Sequence, residues 1–264
     1  MKLAWATDVH FDFAREAAMD RFCDDFRAAE ADGLLLAGDI AHAETLPSVL
    51  AGLERRLDRP IWFVLGNHDF YGGHVAEVRE RARALSGAGR TVWLGARDVV
   101  ELSPHTALVG HDGWGDARLG DPEGSPLILN DFRLIADLAG ADPAQRIRLL
   151  NRLGDESAAH LRRVLPAALE RFGHVLVLTH VPPFREACWH EGKISSDDFL
   201  PYFACRATGE VLLAQAAGRP DRTLTVCCGH THSGGEYRPL PNLRVVTGGA
   251  AYGRPALQEP LLEV

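Results

Sequence analysis

The sequence predicts an α/β fold in which parallel strands are covered by helices on both faces. Three observations support this prediction. Short apolar segments recur along the first third of the chain, a helix-like stretch follows each of them, and polar residues stand where each strand ends. Continuous apolar strands indicate burial on both faces, which is typical of parallel rather than one-sided sheets.

Three strand–helix units are expected in the N-terminal third. The strands are "KLAWAT", "GLLLAG" and "PIWFVLG", and the helices that follow them cover about 14–31, 46–57 and 74–85. Each apolar segment is short enough for a strand, and each helical stretch is long enough to cross back over a sheet. The pattern therefore predicts neighbouring parallel strands in one sheet.

The rest of the chain is predicted to continue the same domain, so that residues 1–264 form a single domain. Further strands are expected at "RTVWLGARDVVEL", "HTALVGHDGW", "HVLVLTH", "TLTVCCG", "GGEYRPL", "LRVVTGG" and "PLLEV". A long helix is expected at about 143–172, broken near Gly154 and bent at Pro166. Residues 181–209 show neither the period of a helix nor that of a strand, which predicts an irregular, cap-like insertion.

Composition restricts the partners and the compartment. The formal net charge is -8 and no dense Lys/Arg cluster is present, so a nucleic-acid partner is disfavoured rather than excluded. No apolar segment is long enough for a membrane span, and we expect no membrane partner. Five cysteines at irregular spacing, without a secretory signal, favour reduced thiols and a cytoplasmic location.

Potential metal ligands follow the predicted strands at five places. They are Asp8, His10, Asp39, Asn67, His180, His230 and His232. In open α/β sheets, ligands bind beyond the carboxyl ends of the strands, so these side chains are expected to converge. Carboxylate, amide and imidazole together suit Mn, Fe or Zn. The number exceeds the three protein ligands usual for one catalytic zinc and points to two ions, a recurring device for phosphate-ester hydrolysis.

The segment "TVCCGHTHSGG" also allows a different interpretation, a Cys/His zinc site. Cys227 and Cys228 are adjacent on a predicted strand, so their side chains should point to opposite faces and could not easily share one metal. We therefore interpret them as apolar strand residues. Taken singly, Asp8 or Asp39 could cap a helix and His180 could be a hydrogen-bonded core residue.

Five motifs occur in one order: "DVH", "GDIAH", "GNHD", "TH" after an apolar strand, and "GHTH". Together they resemble the calcineurin-like metallophosphoesterases, from Asp8 to His232. The resemblance implies a four-layer α/β/β/α sandwich with two mixed β-sheets and a metal site at the carboxyl ends of the strands. It also implies that a water or hydroxide held by two metals attacks phosphorus.

The resemblance assigns a role to each motif residue. The implied ligands are Asp8, His10 and His232 for one metal, Asn67, His180 and His230 for the other, and Asp39 as the bridge between them. His68 matches the histidine that protonates the leaving oxygen or stabilises developing charge. Asp69 would orient His68, as a supporting carboxylate commonly does.

Substrate contacts are predicted from polar and aromatic residues near the ligands. The candidates are His42, His111, Trp114, Arg185, Trp189, His190, Lys193 and Arg206. Arg and Lys suit phosphate, and aromatic rings stack on flat groups. The alternatives stay open: the "HDGWGD" segment could be a turn with a packed Trp, and the insertion could be a cap with its own packing.

The leading hypothesis is hydrolysis of a small phosphorylated molecule or a phosphoprotein. A phosphodiesterase or nuclease of the same family is the alternative. A non-catalytic metal-binding scaffold is less favoured, because every expected ligand and His68 are present. A metallo-β-lactamase-like enzyme is set aside, since "HTHSGG" lacks the aspartate of an H-x-H-x-D-H cluster.

Overall fold

Two β-sheets lie between layers of helices in the computed structural model, which describes residues 1–87 and 89–264. The helices are α1 (Glu16–Ala28), α2 (Leu46–Leu57), α3 (Val75–Leu85), α4 (Asp131–Leu134), α5 (Pro143–Arg171), α6 (Leu200–Phe203) and α7 (Arg206–Gly218). The strands are β1 (Lys2–Ala6), β2 (Gly33–Ala37), β3 (Ile61–Val64), β4 (Thr91–Trp93), β5 (Val100–Glu101), β6 (Thr106–Gly110), β7 (His174–Leu178), β8 (Trp189–His190), β9 (Lys193–Ile194), β10 (Thr223–Cys228), β11 (Gly235–Leu240), β12 (Leu243–Thr247) and β13 (Leu262–Glu263).

The first sheet has the order β13-β1-β2-β3-β4. Strands β1 to β4 are parallel, as the N-terminal strand–helix units predict, and β13 adds an antiparallel edge. The second sheet has the order β11-β12-β10-β7-β6-β5. Its four inner strands are parallel and both edge strands are antiparallel. Both sheets are therefore mixed, with parallel centres.

The alternation of side chains along the strands divides the core into layers. Trp5 and Leu35 of the first sheet pack against Leu108 and Leu178 of the second, between the two sheets. The outer face of the first sheet packs against α1, α2 and α3, and that of the second packs against α5 and α7. The predicted four-layer α/β/β/α arrangement is confirmed, because each sheet buries both faces.

The adjacent cysteines of β10 follow the same alternation. Cys227 packs in the layer between the sheets, whereas Cys228 packs in the layer that faces α5 and α7. Burial raises the pKa of Cys227 to about 12, and both thiols are free. They are apolar strand residues, as the period of a strand predicts.

Two predictions about helices are corrected. Helix α5 runs unbroken through Gly154, where a Cβ would lie 2.4 Å from Asp116 Cβ. The glycine permits close packing against a neighbouring loop and does not end the helix. Helix α7 begins at Arg206, inside the segment predicted as irregular, and its partly polar sequence gave no clear helical period. Within the described residues, no helix combines the length and apolar character needed to cross a membrane.

Candidate metal centre

Loops from both sheets meet at the carboxyl ends of neighbouring strands. The loops after β1, β2 and β3 belong to the first sheet, and those after β7 and β10 belong to the second. Backbone hydrogen bonds join them: His10 N donates to Asp39 O at 3.0 Å, and Gly229 N donates to His180 O at 2.8 Å. The topology thus brings together residues that are far apart in sequence.

The first group of side chains consists of Asp8, His10, Asp39 and His232. Each offers one ligand atom, and these atoms lie within 4.8 Å of one another. His10 Nε2 is 3.2 Å from His232 Nε2 and 3.6 Å from Asp39 Oδ2. His232 Nε2 is 3.3 Å from Asp8 Oδ1. Two carboxylates and two imidazoles therefore share one centre.

The second group is built around His180. Its Nε2 lies 3.2 Å from Asn67 Oδ1, 3.2 Å from His230 Nδ1 and 3.4 Å from Asp39 Oδ1. Asp39 thus directs Oδ2 to the first group and Oδ1 to the second. A carboxylate that bridges two cations needs this arrangement.

Hydrogen bonds to backbone carbonyls select the tautomers of two histidines. His180 Nδ1 lies 2.8 Å from Ala37 O, and His230 Nε2 lies 3.1 Å from Tyr202 O. A carbonyl oxygen only accepts, so each of these nitrogens carries the hydrogen and donates it. The other nitrogen of each ring then presents its lone pair to the second group, as in metal-ligating histidines generally.

Asn67 is oriented by Asp131, which no sequence motif marks. Its Nδ2 donates to Asp131 Oδ1 at 2.9 Å, and Tyr71 Oη donates to the same oxygen at 2.6 Å. The amide oxygen of Asn67 is thereby left to face His180. Asp131 begins the short α4 after a turn-rich segment, where no strand end or recognisable motif marks it in the sequence.

The electrostatics of the two groups favour cations. Asp8 and Asp39 are 1 % and 2 % exposed, and the ion-pair partners found for them among the described residues are imidazoles. Burial raises the pKa of Asp39 well above its usual range, and the nearby Asp8 and Asp69 carboxylates raise it further. Burial lowers the pKa of His10 to about 3, which keeps that imidazole neutral. Buried carboxylates beside imidazoles fit divalent cations.

Unusual backbone conformations are concentrated at these ligand positions. Nine non-glycine residues in the described part of the chain have positive φ, and five of them belong to the two groups. These five are Asp8, His10, Asp39, His230 and His232. Left-handed conformations of such residues are uncommon and cluster at functional sites, where surrounding contacts hold them in place.

His68 lies beside the ligands rather than among them. Its Nε2 is 3.9 Å from Asp39 Oδ2, and its ring stacks on Tyr71 with centroids 4.2 Å apart. Burial lowers the pKa of His68 to about 2. The expected contact with Asp69 is not formed, because that carboxylate accepts from three backbone N–H groups. They belong to Ile40 at 2.7 Å, Ala41 at 2.9 Å and Gly66 at 2.7 Å.

A cavity of about 280 Å³ opens onto the two groups. Its lining consists of Asp39, Asn67, His68, Tyr71, Leu129, Asn130, Asp131, His190, Phe203, His230, Thr231, His232 and Tyr252. His190 is the one predicted substrate contact in this lining. The lining also includes Tyr71, Asp131, Phe203 and Tyr252, which the sequence analysis did not identify.

His111 and Trp114 of the "HDGWGD" segment, both predicted to contact the substrate, do not line the cavity. His111 Nδ1 is 2.9 Å from Ser157 Oγ of α5, and Trp114 is buried against Phe70 with ring centroids 5.3 Å apart. These residues face the helix layer and the core. The alternative interpretation, a turn with a packed Trp, describes this segment.

The other predicted contacts also lie outside the cavity lining. Arg185 pairs with Asp197 at 2.8 Å, and Arg206 pairs with Glu210 within α7 at 2.8 Å. Trp189 and Lys193 stand on the β8–β9 hairpin, Trp189 half-buried and Lys193 exposed. His42 pairs with Asp12, and its ring centroid is 6.2 Å from that of His68. Ion pairs thus hold the two arginines, and the other two predicted contacts of the insertion belong to its hairpin.

Comparisons with known proteins agree with the fold. Two solved structures share the fold over most of the chain. A phosphopantetheinyl hydrolase from Mycobacterium tuberculosis has a TM-score of 0.65 at 16% identity, covering 98% of this chain and 96% of that one. A dimetal phosphatase from Danio rerio has a TM-score of 0.57 at 16% identity, covering 94% and 86%.

The sequence comparisons identify the family. No protein with a curated description matches the sequence significantly. The family description "Calcineurin-like phosphoesterase" matches residues 1–234, which include every ligand candidate of both groups. The chain belongs to the calcineurin-like phosphoesterases, a family of hydrolases.

Proposed function

We propose that this phosphoesterase hydrolyses a phosphate ester of a small molecule with the help of two divalent metal ions, Mn, Fe or Zn. The observation that carries the proposal is the position of Asp39, whose two oxygens lie 3.6 Å from His10 Nε2 and 3.4 Å from His180 Nε2. One carboxylate between two imidazole groups suits a pair of cations. When bound, such a pair would activate water and neutralise phosphoryl oxygens.

This chain would hold the two ions with two sets of ligands that share Asp39. Asp8, His10 and His232 would bind one ion, and Asn67, His180 and His230 would bind the other. The carbonyls that accept from His180 and His230 fix the rings before any ion arrives. Preorganised ligands lose less entropy on binding and favour one geometry.

We assign to His68 a hydrogen bond to the leaving oxygen. Its lowered pKa makes the ring neutral near pH 7, and a neutral imidazole still carries one N–H. That N–H would donate a hydrogen bond to the ester oxygen and stabilise the negative charge that develops there as the P–O bond breaks. Stacking on Tyr71 holds the ring at the edge of the cavity.

The size of the cavity favours a small substrate over a phosphoprotein. At about 280 Å³ it falls just below the usual range of small-molecule sites, roughly 300–1,000 Å³.

A second candidate is a phosphodiester. Within the described residues, none of those that line the cavity is Lys or Arg, so a singly charged diester needs fewer compensating cations than a dianionic monoester.

Turnover by metal-loaded protein tests the proposal. Protein reconstituted separately with Mn, Fe, Co and Zn is assayed on p-nitrophenyl phosphate and on bis(p-nitrophenyl) phosphate. We expect hydrolysis of at least one ester, and the ratio of the two kcat/KM values separates the monoester from the diester. Absence of turnover on both esters with every metal would falsify the proposal for simple substrates.

A further inference from the structure

Two aromatic side chains stand exposed beside the cavity. Of the five large hydrophobic residues that are exposed in the described part of the chain, Phe13 and Tyr252 touch each other, with ring centroids 5.2 Å apart. Each is 52 % exposed. Exposed apolar residues scattered singly need no explanation, but a pair at the edge of a functional cavity does.

Tyr252 lies directly against the first group of ligands. Its ring centroid is 4.5 Å from that of His10 and 4.9 Å from that of His232. His10 is only 2 % exposed, so part of the tyrosine ring covers the histidine while the remainder stays open to solvent. A group esterified to a phosphate at the ligands would meet this open part first.

The loop that carries Tyr252 is anchored at both ends. Gln258 closes it by accepting from Gly249 N at 3.0 Å and donating to Gly249 O at 2.8 Å. Gln258 N also donates to Trp5 O in β1 at 2.8 Å, and Ala250 N donates to His232 O at 3.2 Å. The ring is therefore presented on a fixed support, which reduces the entropy lost on binding.

Phe13 stands beside Tyr252, just outside the cavity lining, with its ring centroid 6.0 Å from that of His10. It ends the short helical turn Phe11–Phe13, which follows the ligand His10 directly. Its ring meets Tyr252 at an interplanar angle of 69° and His42 at 86°. Edge-to-face contacts of this kind leave ring faces available for a further flat group.

The charge of the cavity restricts what this pair can bind. Its lining, as far as the structure describes it, contains carboxylates and imidazoles but neither Lys nor Arg. A second phosphate or another anionic group on the substrate would find no cationic partner there. Apolar lining from Tyr71, Leu129 and Phe203 instead favours an uncharged group.

We infer that Tyr252 and Phe13 form a stacking platform for a planar, uncharged group of the phosphate ester. The inference rests on the proposed function, because it places the phosphate at the two ligand groups. It assigns the substrate class to aryl or heteroaryl esters. The competing explanation is that Tyr252 only shields His10 from water.

Binding of two matched, non-hydrolysable phosphonates tests the platform without turnover. Phenylphosphonate and cyclohexylphosphonate have equal numbers of carbons and equal charge when fully ionised, but only phenylphosphonate carries a flat ring. Calorimetric titration into manganese-loaded protein should give about three- to tenfold tighter binding of phenylphosphonate, the range expected from one aromatic contact. Equal binding of the two phosphonates, or binding of neither, would overturn the inference.

Variants test whether the phenyl preference in binding depends on Tyr252 and Phe13. Tyr252→Leu should remove the phenyl preference, Phe13→Leu should reduce it, and Tyr252→Phe should retain it because the ring remains. Leu134→Ala, which trims an apolar side chain that is 45 % exposed and lies outside the cavity lining, should leave the preference unchanged. A preference that survives in Tyr252→Leu contradicts the platform.

The two proposals fail in different ways. Hydrolysis of simple esters without a phenyl preference in binding would support the phosphoesterase activity and contradict the platform. A phenyl preference in binding, without hydrolysis of any ester, would support the platform and contradict the proposed activity on simple substrates. The binding and turnover measurements therefore separate them.

Discussion

The side-chain amide of Asn67 donates to Asp131 Oδ1 at 2.9 Å, and its oxygen lies 3.2 Å from His180 Nε2. The contact joins α4 to the loop after β3, which are separated by 64 positions in the sequence. An amide can present either its oxygen or its NH2 group to a cation, and only the oxygen is a ligand. Asp131 decides which one faces the second group.

We predict that Asp131→Ala weakens metal binding at the second group by about 10- to 100-fold, the usual effect of losing a supporting hydrogen bond. Metal titration followed by elemental analysis measures the change. Asp131→Asn should restore much of the affinity, because an amide oxygen can still accept from Asn67. Tyr71→Phe, which removes the other donor to Asp131, should have a smaller effect. Unchanged two-metal affinity in Asp131→Ala would contradict the assignment.

Asp39→Asn is expected to weaken both metals and to abolish hydrolysis, since it removes the negative charge shared by the two groups. Elemental analysis after dialysis should show loss of both ions. Asp24→Asn provides a control with the same change of charge, because Asp24 pairs with Arg27 at the surface and is 73 % exposed. If Asp39→Asn retains two ions per chain, Asp39 is not the bridge.

His68→Ala should retain both metals but lower kcat by about 10²- to 10³-fold, the usual loss when one hydrogen-bond donor to a developing negative charge is removed. The loss should be greatest for esters with poor leaving groups, because most negative charge develops on their leaving oxygen. His74→Ala is a suitable control, since His74 pairs with Asp137 and is 55 % exposed. Loss of metal in His68→Ala would show instead that His68 is a ligand.

Gly66→Ala should disrupt the centre through a single methyl group. A Cβ at this position would lie 2.2 Å from Asp39 Oδ1 and 2.4 Å from Asp39 N. We expect weaker metal binding and destabilisation by about 1–3 kcal/mol, the usual range for an overpacked site. Thermal unfolding and metal titration measure both. Gly218→Ala, whose Cβ would meet nothing within 4 Å beyond its own helix and chain neighbours, should weaken neither property. Equal losses in the two variants would contradict the steric argument.

Much of the fold, and the identity of the candidate ligands, could be predicted from local sequence. Helix α2 has the predicted bounds, and the adjacent Cys227 and Cys228 point into different layers as the strand period requires. Strand ends and short polar motifs are properties of a few consecutive residues. They can therefore be recognised before the chain is folded.

Residues of the substrate cavity were harder to predict because they depend on contacts between distant segments. Arg206 and Arg185 have the right chemistry for phosphate, but their partners in the fold are Glu210 and Asp197. Tyr252 and Asp131 stand in segments without a regular period. They reach the cavity because the Gln258 contacts and the α4 turn bring them there.

Local sequence was enough to show which side chains follow the strands, and hence the α/β class and the candidate ligands. The packing of distant segments was needed to show that Asp39 faces both groups, that Asp131 orients Asn67, and that Tyr252 borders the cavity. The difference lies in the range of the interactions. Periodicity and turn chemistry act within a few residues, whereas hydrogen-bond direction and burial depend on packing between segments that are far apart in the chain.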